Sequence, residues 1–269
     1  MTFRKSPSQI YFEAMFPGPK GKPFEGLPKK TYEERKLSGT EAEEIRAALK
    51  DEVMPYYYKA LLSLVESFPA INNHNYSWAT VKLYYSVYYS CRAYLACKGT
   101  AIFRGERKLF YVKARENEYI KKCQEHTDHK GTMYTSRTLY NSQDLLQHNT
   151  INNMLTYEWM MMRREEVNYK DIDFHDPDPP DFWYNIQNDV KNEGIEHVVK
   201  NLIEDEWLFC FQSEYGVLGI PLKRLMLTVN EIRLAGINCF MEQNKKEFVE
   251  QYLQSFDETV KKALLVWKR

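Results

Sequence analysis

Arg163-Arg164-Glu165-Glu166-Val167-Asn168-Tyr169 is the stretch whose residue types and spacing most resemble working chemistry. On a helix, an arginine and a polar group four to five residues later share a face. Such a pair can clamp a phosphate and position a 2′-hydroxyl, with Arg163 and Arg164 holding charge, Asn168 orienting, and Tyr169 donating a hydrogen bond. An arginine pair that salt-bridges and caps a core helix would use the same residues, so both readings stand.

Three other constellations carry less. Ile102–Arg115 interleaves cations with rings, as single-strand nucleic-acid grooves do, which makes Arg104, Arg107 and Lys108 candidate RNA contacts. A connecting amphipathic segment would look the same. Cys123-x-x-His126-x-x-His129 has metal-ligand residue types, but Asp128–Gly131 reads as a helix end and no second cluster exists, so no metal is expected. Asp171, Asp173, Asp176, Asp178 and Asp181 lack the turn glycine of a calcium loop and read as solvated. No Gly-x-Ser-x-Gly or phosphate-binding glycine loop occurs, and no cofactor is expected.

The elements that must position these residues are helical. Residues 1–37, with Pro17, Pro19 and Pro23 among lysines, read as an extended basic Pro/Gly-rich arm. A first helix is expected from Ser38 or Thr40, where Thr40–Glu43 has capping-box spacing, to about Glu66 with a kink or break at Pro55. The central helix runs from Tyr76 to Lys98 and stops at Gly99. Its tyrosine stripe reads first as core and interface packing. Another helix is expected from Leu145 to about Tyr169, ended by the acidic loop His175–Asp181, then helices near 184–213, 221–241 and 245–267. Without sustained period-two alternation the chain reads as all-α, a bundle of about six to eight helices forming one domain over 38–269.

Two segments carry a resemblance. Tyr84-Tyr85 through Arg92 to Gly99 is similar to the Tyr-Tyr…Ala-x-x-Leu…Gly helix of the HEPN superfamily, and Arg163–Tyr169 to that family's Leu-Arg-x-x-Ala-Asp-Tyr helix end. The spacing resembles the YaaC-like branch. The likeness covers about 55–175 as a HEPN-like core and leaves 182–269 as a C-terminal helical extension. It implies a helical bundle, often dimeric, that serves bacterial antiviral defence or toxin–antitoxin systems. Many members are metal-independent ribonucleases that use an arginine followed four to six residues later by histidine. Here Asn168 stands nearest that position, and asparagine cannot take a proton. In some relatives the motif's tyrosine is nucleotidylated, and Tyr169 matches it by position. Arg92 is expected to face the same cleft. The resemblance therefore leads to a protein that contacts RNA or nucleotide, or to a catalytically silent adaptor that binds a partner protein.

Composition sets outer bounds. The 37 Lys+Arg balance 37 Asp+Glu, which excludes a generic polycation that coats nucleic acid. With 43% hydrophobic and 14% aromatic residues the chain has a substantial core. No run is long and apolar enough for a membrane helix, and Met1–Gln9 lacks the apolar stretch of a secretory signal. Five cysteines without a Cys-x-x-Cys pair suit free thiols, so the expected compartment is the cytoplasm. Charge is uneven locally: 98–137 holds ten basic against five acidic residues, and 165–214 holds three against fourteen. Four tyrosines at 84, 85, 88 and 89 on several sides of one helix point to a homodimer contact, because each buried hydroxyl needs a partner.

Overall fold

Residues 5–33 and 35–268 are described by the computed structural model; Met1–Arg4, Glu34 and Arg269, which belong to the expected arm and C-terminal extension, lie outside the described residues. The protein is 62% helical, with small antiparallel sheets. In chain order the helices are α1 (Pro7–Met15), α2 (Gly39–Val65), α3 (Ser67–Asn72), α4 (Tyr76–Cys97), α5 (Asp128–Tyr140), α6 (Thr156–Glu165), α7 (Tyr184–Glu193), α8 (Ile195–Glu204), α9 (Gly216–Leu234), α10 (Gln243–Gln251) and α11 (Glu258–Leu264). The strands are β1 (Thr100–Arg104), β2 (Leu109–Lys113), β3 (Lys121–Lys122), β4 (Thr150–Ile151) and β5 (Met154–Leu155). α2 and α4 have the lengths the sequence suggested, whereas the later helices are shorter and more numerous.

The expected single domain divides into two compact units, one of the described residues up to Tyr56 with Cys91–Leu139, the other of Tyr57–Ser90 with the chain from Tyr140. In the first unit the supposed arm is packed. Ser6 caps α1, Pro7 occupies its first turn, and Phe12 stacks on Phe103 with centroids 3.7 Å apart. Phe16, Phe24 and Tyr32 join the same aromatic core. Spaced rings, which the prolines obscured, supply the apolar area that holds the segment down.

The capping box of α2 is Ser38 with Glu41, two residues earlier than expected: Ser38 N–H donates to Glu41 Oε2 at 2.8 Å and Glu41 N–H to Ser38 Oγ at 3.2 Å. The helix passes Pro55 without a break. α4 ends at Gly99, whose φ of 68° suits a residue without Cβ. The segment Ile102–Arg115, read as a connecting amphipathic stretch in an all-α chain, instead holds the β1–β2 hairpin, in register Thr100↔Lys113 to Arg104↔Leu109. Its strands are buried on both faces for most of their length, so no alternation shows in the sequence.

In the second unit α9 is buried from Gly216 to Leu225, and Trp159, Trp183 and Leu264 fill the core. Tyr57 OH donates to Leu264 O at 2.6 Å and accepts from Val266 N–H at 3.0 Å. The helix expected over 145–169 begins only at Thr156. Asn152 and Asn153, at φ 50° and 62°, form the two-residue turn that joins β4 to β5.

Candidate functional site

α6 buries Tyr157, Trp159 and Met160, and its last turn presents Arg163 and Arg164 where cations suit the helix dipole. Beyond Glu165 the helix widens into a π-turn, Glu166–Lys170, closed by Asp171 N–H donating to Glu166 O at 3.0 Å. That turn sets the geometry of the motif. Tyr169, five residues after Arg164, comes back over the arginine, and Arg164 Nη2 donates to its hydroxyl at 3.2 Å.

The two arginines have separate surroundings. Arg163 Nη1 pairs with Glu166 Oε2 at 2.8 Å, and its guanidinium lies 5.2 Å from the Trp159 ring centroid and 5.1 Å from that of Phe182. It is a cation beside two touching rings, with its charge answered by a carboxylate. Arg164 lies 4.9 Å from the Tyr169 ring, 5.2 Å from Tyr84 and 6.0 Å from Tyr85. Tyr84 is buried, Tyr85 half-buried, and Tyr169 67% exposed. Burial pushes the Tyr84 phenol up despite the nearby Arg164 charge. Asn168 is half-buried on the same turn. The motif thus forms a tyrosine-flanked guanidinium with one exposed ring.

Proton transfer has poor support here. Arginine and asparagine do not serve as a base at neutral pH, and of the motif's carboxylates Glu166 is already paired with Arg163. The next histidine, His175, lies in the following loop with Nε2 3.4 Å from Asp171 Oδ2. The local charge is also unfavourable to a polyanion: seven carboxylates and one lysine fall between 165 and 181.

The remaining candidates lie in the first unit. Arg92 is buried, donating from Nη2 to Tyr56 OH at 2.8 Å and stacking 4.9 Å over that ring, so its charge serves the core. Arg104, Arg107 and Lys108 gather at the β1–β2 hairpin end, where Gly105 N–H donates to Lys108 O at 2.9 Å. Arg104 pairs with Asp128 at 2.9 Å; Arg107 is exposed and Lys108 half-buried. Phe103 and Phe110, the rings that suggested base stacking, face the core. Cys123 is buried with Sγ 3.6 Å from Thr135 Oγ1, and burial pushes its thiol up to about 11, while His126 is exposed. Among the described residues no three His, Cys, Asp or Glu side chains group as a metal site.

Two features had gone unnoticed. One is a buried ion pair: Arg224 Nη1 lies 2.6 Å from Asp144 Oδ2, which also accepts from Tyr157 OH and Gln147 Nε2, each at 2.7 Å. Arg224 Nη2 donates to Thr228 Oγ1 at 3.1 Å. The available signal was a cation inside the apolar run Val217–Val229. The other is an apolar surface beside the acidic loop, where Phe174 meets Trp78 edge-on at 5.6 Å and Ile172 is fully exposed. Comparison with family models, curated proteins and solved structures finds no match to the chain.

Proposed function

We propose that this chain is a HEPN-like, catalytically silent helical adaptor that binds a partner protein, as a component of a cytoplasmic defence or toxin system. The observation that supports it best is the internal use of the motif arginines. Arg163 is held by Glu166 beside Trp159 and Phe182, and Arg164 lies among three tyrosine rings, so both guanidinium groups have their contacts within the chain. The carboxylate-rich segment after the motif favours a protein over a nucleic acid.

A second reading keeps RNA or nucleotide as the ligand. Its support is the exposed Tyr169 ring against Arg164, a pairing on which a base could stack while the guanidinium meets phosphate. A homodimer would place two such sites together, and the half-exposed Tyr85 and Tyr89 of α4 would lie in its contact. Tyr84 and Tyr88 are buried within the chain itself.

The test is a pull-down with the full chain from its native cells, beside incubation of the pure protein with total RNA. A stoichiometric protein supports the adaptor. Bound or cleaved RNA that is lost in an Arg163→Ala/Arg164→Ala variant supports the second reading and overturns the first.

A further inference from the structure

We infer that the apolar surface formed by Trp78, Ile172 and Phe174, together with the carboxylates around it, docks a basic amphipathic segment of a partner protein. This inference rests on the adaptor reading and names the chemistry of its partner. Ile172 and Phe174 point outward from the acidic loop, and the Phe174 ring packs edge-on against Trp78 of α4, itself 45% exposed. Large side chains left in water at one place gain by being covered.

The surface is held in shape before anything binds. Asp176 Oδ1 accepts from Tyr76 N–H at 2.6 Å and Ser77 N–H at 3.2 Å, which ties the loop to the start of α4. Past the loop, buried Trp183 donates from Nε1 to Thr80 Oγ1 at 2.8 Å. Between these anchors Asp178 N–H donates to His175 O at 3.0 Å. These bonds hold the loop beside α4 at the Phe174 end, and Ile172 stands free in water before it.

Charge complementarity identifies the partner. Asp171, Asp173 and Asp178 are exposed beside the apolar side chains, and Lys170 is the one cation of the 165–181 segment. An RNA backbone would meet repulsion there, and a second acidic surface would as well. A segment with lysines or arginines flanking an aliphatic or aromatic anchor satisfies both the apolar and the acidic components.

Fluorescence anisotropy with the full chain tests the inference, using a labelled amphipathic Leu/Lys peptide of about 14 residues and a Leu/Glu peptide of the same pattern. The Leu/Lys peptide should bind about tenfold more tightly, and added salt should reduce the difference. The Ile172→Ser/Phe174→Ala variant should lose about fivefold or more of that binding. The Asp173→Asn/Asp178→Asn variant should lose selectivity between the two peptides. Circular dichroism of each variant confirms that the fold is kept. Equal binding of the two peptides, or undiminished binding by the Ile172→Ser/Phe174→Ala variant, overturns the inference. So does a wild-type dimer that this variant dissociates, because a second copy would then cover the surface. If the cellular partner is captured equally by wild type and variant, the adaptor reading survives and this surface does not.

Discussion

Arg224 and Arg164 belong to one compact unit and meet opposite surroundings. Arg224 is 0% exposed and lies against Asp144, whose carboxylate also takes hydrogen bonds from Tyr157 and Gln147. Arg164 has tyrosine rings instead of a carboxylate and stays half in water. A guanidinium removed from water needs a counter-charge and acceptors in place, whereas one that keeps solvent can rest on rings alone. The first arrangement locks a core; the second leaves donors and a ring face available for binding. Residue type alone does not separate them.

Breaking the buried side should have the largest effect. Arg224→Ala is expected to destabilise the protein by about 3–5 kcal/mol in urea unfolding, because Asp144 is left buried and unpaired. Replacing both partners with apolar residues, Arg224→Met with Asp144→Leu, should recover much of that loss. If the double variant is no better than the single, the contrast between pairing and solvation is misdrawn. Tyr157→Phe removes one hydrogen bond to the same carboxylate and should cost about 1.5–3 kcal/mol by the same measurement. At the half-exposed end, Arg164→Ala should cost less, about 1–2 kcal/mol, since it removes cation–π contacts to buried Tyr84 as well as exposed Tyr169. A loss of several kcal/mol there would make Arg164 a core residue and remove it from any binding site.

An intermediate case sharpens the comparison through pH. Arg35 pairs with Glu41, the carboxylate that caps α2, and both side chains are partly exposed. Burial pushes the Glu41 carboxyl up, but the Ser38 N–H and the Arg35 guanidinium outweigh it and hold the group below the ordinary glutamate range. With its folded value depressed, Glu41 contributes stability that is complete above the unfolded value and lost as the pH falls through the folded one. Acid unfolding of wild type and Glu41→Gln, followed from about pH 6 down to pH 3, should therefore converge at the acidic end. A gap that widens toward acid would reverse the assignment.

The predominantly helical fold was legible because α4 and α2 carry long apolar faces and clear ends, Gly99 for one and the Ser38 region for the other. What escaped notice had weak local signals. The β1–β2 hairpin is buried on both faces, so its period is hidden. The first residues were read as an arm because three prolines outweighed Phe12, Phe16 and Phe24, whose burial depends on a distant strand. At the candidate site, Arg164 and Tyr169 could be read as neighbours from their spacing. That Arg163 would pair with Glu166 beside Trp159 and Phe182 depends in part on a ring nearly twenty residues away, which no local pattern reveals. Arg92 failed as a surface candidate for the same reason: Tyr56, its partner, comes from another helix.

The π-turn at Glu166–Lys170 has a consequence for how this chain can vary in length. One residue added to an α-helix normally turns everything after it by about 100°. A wide turn absorbs the extra residue where it occurs, so the chain beyond keeps its face. The separation between Arg164 and its tyrosine is then free to differ by one without parting the two groups. Deleting Asn168 should restore an ordinary helical turn, with the tyrosine ring still over the arginine and the loop that carries Ile172 and Phe174 unchanged in length. A change of one residue inside the turn is thereby confined to it.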